Sequence, residues 1–224
     1  MCGRYALDQD ARELADHFSL LEVPEMVPRF NIAPSTKVLV VREVPRGRVG
    51  QLMTWGLAPV WLRRSEGAKS LPKPINARAE TLDERPMFRK ALKARRCILP
   101  ASGFYEWCRP PSGPAQPFYV HPVNDSVFAF AGLYEPGIDD APASCCIITT
   151  GANELMATIH DRMPVILDLT DVPRWLDTAT SPGEIEALLE PAPADEMLAH
   201  PVSTRVNAAR NDDATLIDAL PQPD

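Results

Sequence analysis

The stretch KVLVVREVPRGRVGQLMTW, residues 37–55, carries the clearest fold signal in the chain. Two runs rich in branched apolar residues, Lys37–Val44 and Arg48–Trp55, stand on either side of Pro45-Arg46-Gly47. Proline and glycine between two strand-like runs favour a turn, so this stretch predicts a β-hairpin.

Further short strands and helices occupy the rest of the chain. Asn124-Asp125 predicts a second hairpin, between Pro117–His121 and Val127–Tyr134, and the Pro- and Gly-rich stretch Arg109–Gln116 predicts a hairpin loop. Additional strands are predicted at Cys97–Pro100, Gly103–Trp107, Ser144–Thr150 and Met163–Leu167, with an extended stretch at His200–Val206. Helices are predicted at Asp8–Leu20, Pro86–Arg95, Ala152–Thr158, Pro173–Asp177 and Gly183–Leu189.

The order of these elements predicts the fold class. Hairpins are mixed with isolated helices, and strands do not alternate regularly with helices along the chain. We therefore expect an α+β fold with a mostly antiparallel sheet or barrel-like core and flanking short helices. No stretch has the length and polarity of a linker, so residues 1–224 are expected to form a single domain.

The composition is that of a globular protein in a reducing compartment. Apolar residues make up 45% of the chain, which is enough for a sizeable core. There is neither a run of eighteen apolar residues nor a basic-then-apolar leader, so we expect no membrane partner and no secretion. Five cysteines are an odd number and do not suggest a disulfide framework. We therefore expect a cytoplasmic protein, and nothing in the sequence requires more than a monomer.

The charges are distributed unevenly between the two halves. The net charge of −7 alone argues against a nucleic-acid partner. However, residues 1–109 carry 19 Lys and Arg against 12 Asp and Glu, whereas residues 110–224 carry 4 against 18. Such asymmetry indicates a polyanionic partner, with scattered surface charge as the alternative interpretation.

Cys2 is the residue whose position suggests the most distinctive chemical reactivity in the sequence. Removal of the initiator Met1, usual before a small residue, would give Cys2 both a free α-amine and a thiol. Their reference pKa values of about 8 and about 8.5 leave an appreciable nucleophilic fraction of each near neutrality. The amine can form a Schiff base with an aldehyde, and the thiol can then close a thiazolidine ring. Alternatively, Cys2 could attack an amide as N-terminal nucleophile hydrolases do, or be an ordinary buried apolar residue.

Three further polar residues are candidates for the same site. Glu106 lies in the aromatic run Gly103-Phe104-Tyr105-Glu106-Trp107, where a buried carboxylate would suit acid/base chemistry and an exposed one would be surface charge. His160 precedes Asp161-Arg162 in a loop, where it could move protons or simply face solvent. Asn76 could position a substrate through its amide or could cap a turn.

Six short motifs in order resemble the SOS-response-associated peptidase family, whose SRAP domain senses abasic sites in DNA. They run over nearly the whole chain, and together they are highly specific although each alone is weak. The motifs are Cys2-Gly3-Arg4-Tyr5, Arg29-Phe30-Asn31-Ile32-Ala33-Pro34, Trp55-Gly56-Leu57-Ala58-Pro59, Asn76-Ala77-Arg78-Ala79-Glu80-Thr81, Gly103-Phe104-Tyr105-Glu106-Trp107 and His160-Asp161-Arg162-Met163-Pro164. His200-Pro201-Val202-Ser203 and Val206-Asn207 also fit.

The resemblance implies a covalent thiazolidine between Cys2 and the ring-opened abasic site in single-stranded DNA, which shields the lesion. It implies that Asn76 holds the amine or the opened sugar, that Glu106 moves protons, and that His160 assists ring opening and reversal. It implies phosphate contacts for Arg4, Arg78 and Arg162, which lie inside matching motifs, and Arg85 is a further candidate outside them. Three tryptophans could stack on bases or block the duplex side, with core packing as the alternative: Trp55, Trp61 and Trp107. The resemblance also implies a place in the DNA damage response, at the nucleoid when the protein is bound to DNA. The basic loop Leu62–Lys73 matches no motif of the family.

Two other function classes remain open from the sequence. The same four residues could serve an N-terminal cysteine peptidase or amidohydrolase, although only Met1 precedes Cys2. A non-catalytic module for single-stranded DNA would need only the basic half and the aromatic residues. We expect no metal and no cofactor, because there is no CxxC spacing and no Gly-rich phosphate loop. Cys97, Cys108, Cys145 and Cys146 are expected in strand cores.

Overall fold

The computed structural model describes residues 2–59, 73–124, 126–138 and 141–221. It contains short helices and two groups of hydrogen-bonded strands, as expected for an α+β fold. In chain order the strands are β1 (Tyr5–Leu7), β2 (Leu20–Glu22), β3 (Arg29–Ile32), β4 (Lys37–Val44), β5 (Gly47–Trp55), β6 (Asn76–Arg78), β7 (Arg96–Ala101), β8 (Gly103–Cys108), β9 (Gln116–Pro122), β10 (Phe128–Glu135), β11 (Ser144–Gly151), β12 (Arg162–Pro164), β13 (Ile166–Leu167) and β14 (Met197–Pro201).

The larger sheet closes on itself. Its strands run in the order β12-β11-β10-β7-β4-β5-β2, and the β4–β5 hairpin predicted from the sequence forms part of this row. β5 also pairs with β11 in parallel, with Thr54 beside Ser144 and Trp55 beside Cys145. Because β11 and β5 are joined through β10, β7 and β4 on the other side, these five strands form a ring. The barrel-like core predicted from the sequence is therefore confirmed.

The smaller sheet carries the amino-terminal strand. Its order is β14-β9-β8-β1-β3, and every pairing in it is antiparallel. β8 and β9 form the predicted hairpin over Arg109–Gln116. Gly103 allows the two strands to pack closely, because a Cβ atom there would lie 2.4 Å from the Tyr119 ring and 2.6 Å from the Val120 carbonyl oxygen.

The helices in the described part of the chain are short. They are α1 (Ala11–Phe18), α2 (Pro86–Ala94), α3 (Glu154–Ala157), α4 (Val172–Leu176) and α5 (Pro182–Ala187), with 3-10 turns at Ala79–Thr81, Ala194–Glu196, Thr204–Asn207 and Ala214–Leu216. Asp10 and Glu13 form a reciprocal capping box that starts α1, and Leu14 and Phe18 are its buried face. None of the helices in the described part of the chain has the length and apolar character needed to cross a membrane.

Aromatic side chains fill the core between the sheets. Tyr5 packs edge-on against Trp55 with ring centres 5.3 Å apart, and Phe104 packs against Phe130 at 5.8 Å. Trp55 is fully buried, and its indole nitrogen donates to the Ile75 carbonyl at 2.9 Å. Trp55 is therefore a core residue.

Arg96 joins the barrel to two helix ends. Its buried guanidinium donates to the carbonyls of Leu92 at 2.6 Å, Trp175 at 2.5 Å and Asp177. The orphan carbonyls at the ends of α2 and α4 are thus satisfied by one cation.

Three predictions about strands and extended segments are wrong. The stretch His200–Val206 is not extended throughout, since β14 ends at Pro201 and Thr204–Asn207 form a 3-10 turn. The second hairpin does not form, since β9 pairs with β8 and β14 whereas β10 pairs with β7, β11 and β13. Both strands are largely buried, so the chain crosses between sheets at Asn124 instead of folding back. Met163–Leu167 is not one strand either: β12 pairs with β11 and β13 pairs with β10.

Candidate active site

The amino terminus is fixed beside β8. Tyr5 pairs with Phe104 and Ala6 with Gly103, and the Tyr105 amide donates to the Arg4 carbonyl at 2.9 Å. If this antiparallel register continues toward the amino terminus, residue 3 lies opposite Glu106. Cys2 therefore lies next to β8, the strand that carries Glu106. Cys2 is fully buried.

The Cys2 thiol is held in its protonated form. Burial raises the pKa of the Cys2 thiol far above its ordinary value, and the nearby Glu106 carboxylate raises it further. In this environment the neutral thiol is the dominant form near neutrality, whereas the reference pKa applies to a solvated thiol. A base must remove the thiol proton before the sulfur can act as a nucleophile.

Asn76 reaches Cys2 from the larger sheet. It begins β6, which pairs in parallel with β11 and places Asn76 beside Ile147. The Asn76 Nδ2 atom donates to the Cys2 carbonyl at 2.8 Å. Its Oδ1 atom is buried and has no hydrogen-bond partner among the described residues. The amide thus retains an acceptor beside the Cys2 backbone.

Glu106 is buried at the edge of an open cleft. Only 3% of the residue is exposed, so the buried interpretation of this carboxylate is the correct one. The cleft has a volume of about 530 Å³ and contains both Glu106 and His160. Its full lining is Glu106, Trp107, Cys108, Arg109, Thr158, Ile159 and His160.

His160 follows α3, and its Nδ1 atom has two polar neighbours. That atom accepts a hydrogen bond from the Arg162 amide at 3.0 Å. It also lies 2.9 Å from the Asp161 carboxylate. These contacts orient the imidazole ring at the cleft wall.

The four arginines proposed as phosphate contacts fall into two pairs. Arg78 and Arg85 are exposed. Arg4 is half-buried, and its NH1 group donates to Asn31 Oδ1 at 2.8 Å and to the Val206 carbonyl at 2.9 Å. Arg162 is paired with Glu80. Two of the cations therefore face solvent, and two are engaged within the protein.

Several residues that support the site were not singled out from the sequence. Asn31 is fully buried, and its Nδ2 atom donates to the carbonyls of Val206, Ala208 and Asn211, which fixes the carboxy-terminal segment. Trp107, on the cleft wall, donates to Asn207 Oδ1 at 2.8 Å. Asn31 and Asn207 both lie within the motifs quoted above, but a motif alone does not show what an amide contacts.

The remaining predicted features have mixed outcomes. Cys97, Cys145 and Cys146 are buried strand residues as expected, whereas Cys108 is half-exposed and lines the cleft. Within the described residues, no group of three or more His, Cys, Asp or Glu side chains could hold a metal ion. Trp61 and residues 62–72 lie outside the part of the chain that the structure describes.

Comparisons with known proteins agree with one another. The family described as SOS response associated peptidase (SRAP) matches residues 1–209. "Abasic site processing protein YoqW" of Bacillus subtilis is 41% identical over 98% of this chain and 100% of its own length. "Abasic site processing protein HMCES" of Gallus gallus is 32% identical over 95% of this chain and 76% of its own length. A solved structure from Bacteroides thetaiotaomicron superposes with a TM-score of 0.87 at 26% identity, over 98% of this chain and 100% of that one.

Proposed function

The chain belongs to the SOS response associated peptidase family, and from that premise we propose that it senses abasic sites in DNA by forming a covalent thiazolidine through Cys2. Relatives named as abasic site processing proteins align with nearly the whole chain. The observation that carries the proposal is the hydrogen bond from Asn76 to the Cys2 carbonyl. The charge of Glu106 also acts on the thiol of the same cysteine and raises its pKa. An amide, a carboxylate and a 1,2-aminothiol together suit the capture of an aldehyde.

The amine of Cys2 is the first nucleophile in this mechanism. Removal of Met1 places the amine on the Cys2 Cα atom, beside the Asn76 Oδ1 atom that has no hydrogen-bond partner among the described residues. Asn76 would accept a hydrogen bond from the amine and orient its lone pair toward the C1′ aldehyde of the opened sugar. The amine adds to C1′, and the carbinolamine loses one water to give an imine.

The thiol acts second, since it is protonated in the resting site. Glu106, whose charge acts on the Cys2 thiol, would take the thiol proton as sulfur bonds to C1′, while the imine nitrogen gains a proton and the thiazolidine ring closes. In total, one water leaves and no oxidant or reductant is required. His160 lies in the same cleft as Glu106, and it would donate a proton to O4′ during sugar opening and assist hydrolysis when the crosslink reverses.

We propose single-stranded DNA as the partner. Arg78 and Arg85 are exposed cations that would contact phosphates flanking the lesion, and Arg4 and Arg162 would support this path. Trp61 remains a proposed stacking residue. The reaction is lyase- and hydrolase-like in its proton transfers, and residues 1–224 would act as one SRAP-like domain and as a monomer. With chromosomal DNA as substrate, we expect the protein in the cytoplasm and at the nucleoid when bound.

A denaturing gel tests this proposal. Processed wild-type protein, Cys2→Ala and a form that retains residues before Cys2 would be incubated with a single-stranded oligonucleotide containing one abasic site. We expect a shifted band only with the free Cys2 terminus. If no form gives the band, the covalent sensor is excluded, and peptide hydrolysis and plain strand affinity are the next assays. An equal band with Cys2→Ala would assign the crosslink to another residue.

A further inference from the structure

Arg162 and Glu80 form a two-point ion pair beside the candidate site. Arg162 begins β12 and Glu80 follows β6, and both strands pair with β11. The NH1 group of Arg162 meets Glu80 Oε1, and its NH2 group donates to Glu80 Oε2 at 3.0 Å. NH2 also donates to the Thr149 carbonyl at 2.6 Å, which fixes the orientation of the guanidinium.

Glu80 occupies the edge of Arg162 that a phosphate would use. The paired terminal nitrogens of a guanidinium bind carboxylate and phosphate in the same planar, two-point arrangement. A guanidinium can also bind an anion at two points through Nε and one terminal nitrogen. In Arg162 the Nε atom is buried and has no hydrogen-bond partner among the described residues, so an anion in solvent cannot use that edge. A phosphate can therefore bind Arg162 in this way only by replacing the Glu80 carboxylate.

The two partners differ in how readily they can move. The Arg162 side chain is 14% exposed, whereas the Glu80 side chain is 52% exposed. The hydrogen bond from Arg162 lowers the pKa of Glu80, so the carboxylate stays charged near neutrality. The Glu80 side chain can therefore rotate into solvent while Arg162 keeps its hydrogen bond to the Thr149 carbonyl.

We propose that Glu80 is a specificity-determining residue that competes with DNA phosphates for Arg162 and so weakens binding to undamaged strands. This inference rests on the proposed function. With Glu80 in place, Arg162 adds little net attraction for a passing strand. An abasic strand gains its stability from the bond to Cys2, so the reduced phosphate affinity affects it much less. The ion pair would thus favour strands that can react over strands that cannot.

The test measures the non-covalent affinity for an undamaged, fluorescein-labelled oligothymidine by fluorescence anisotropy. Glu80→Gln keeps the shape of the side chain and removes its charge. We expect it to tighten binding about fivefold, which corresponds to losing competition from one partly exposed ion pair. We also expect the salt dependence to steepen by about 0.7, the value for one added phosphate contact on a single strand.

Matched variants separate competition from general charge effects. Asp83→Asn removes one exposed carboxylate three residues from Glu80, and it should tighten binding much less. In an Arg162→Gln background, Glu80→Gln should have no effect on affinity. Glu80→Ala, with thermal melting of every variant, provides a second measurement if Glu80→Gln folds poorly.

Three results would overturn the inference. Weaker binding by Glu80→Gln would mean that Glu80 only positions Arg162. An equal gain from Asp83→Asn, or a gain that persists without Arg162, would mean a general charge effect. Crosslinking of an abasic strand by the wild-type protein is scored separately, so failure of the sensor function would be recognised independently.

Discussion

Replacing Glu106 by glutamine is expected to affect the two reactions of Cys2 in opposite directions. The substitution keeps the size of a side chain that is only 3% exposed and removes its charge. If Glu106 moves protons during crosslinking, the rate should fall at least about 100-fold, the lower end for a general acid/base. That loss corresponds to about 2.7 kcal/mol of transition-state stabilisation. Single-turnover crosslinking to an abasic oligonucleotide, followed on denaturing gels, measures it.

Alkylation of the Cys2 thiol should become faster in the same variant. The Glu106 carboxylate raises the pKa of the Cys2 thiol, second only to burial, so Glu106→Gln lowers that pKa and increases the thiolate fraction. Iodoacetamide labelling at fixed pH, scored by mass spectrometry on the amino-terminal peptide, reports Cys2 alone. This readout excludes the half-exposed Cys108, which would react in parallel.

Glu135→Gln is the matched control. Glu135, on β10, is also buried, with 4% of the residue exposed. However, its carboxylate forms an ion pair with Arg95 at 2.7 Å, and it does not line the cleft. We expect this variant to lose stability while its folded fraction crosslinks at the wild-type rate. A proton-transfer role for Glu106 is refuted if Glu106→Gln crosslinks as fast as wild type, or if Glu135→Gln slows the reaction equally.

Three further predictions concern positioning and stability. Asn76→Ala removes the hydrogen bond to Cys2 and should slow crosslinking on the order of 100-fold, as misplacement of a reactive group does; single-turnover rates check this, and an unchanged rate contradicts it. Arg96→Leu leaves buried helix-end carbonyls without a hydrogen-bond donor, so the free energy of unfolding should fall by about 3–5 kcal/mol and the Tm by roughly 10 °C, as measured by calorimetry. A Tm within about 2 °C of wild type would contradict this stabilising role of Arg96. Burial raises the pKa of Cys146 to about 12, so between about pH 9 and 12 the unfolded chain loses a proton from this thiol that the folded chain keeps, and Cys146 alone should lower the stability by about 1.4 kcal/mol per pH unit. Cys146→Ala should flatten that decline in urea unfolding, and an identical slope would contradict the assignment.

Local patterns in the sequence predicted most of the elements. The helix predicted at Asp8–Leu20 forms as α1 because the spacing of its apolar residues is a local signal. The β4–β5 hairpin was equally local, since Pro45-Arg46-Gly47 and the flanking runs determine it. The antiparallel pairing of β8 with β9 across Arg109–Gln116 followed for the same reason.

Long-range pairing could not be predicted from local patterns. Asn76 reaches Cys2 because β6 adds in parallel to β11, about seventy residues later in the chain. Nothing within three residues of Asn76 indicates that partner. The failed hairpin between β9 and β10 has the same origin, because buried strands have equal reason to join either sheet.

The chemical states of the site residues also depended on tertiary structure. The sequence identified Cys2, Glu106 and His160 as candidates but could not tell a buried carboxylate from an exposed one. It treated the Cys2 thiol as solvated, whereas burial in the core keeps that thiol protonated. The internal ion pair of Arg162 was equally hidden, since its partner Glu80 lies in a distant motif.

The intact mass of the adduct is the most direct test of the central claim. Processed wild-type protein with a single-stranded abasic oligonucleotide should give one species whose mass is the sum of the two minus one water, without any reducing agent. Cys2→Ser keeps the amine but replaces the thiol, and it should give a stable adduct only after borohydride traps the imine. A wild-type adduct that also requires borohydride, or one attached through a lysine, would contradict a thiazolidine at Cys2.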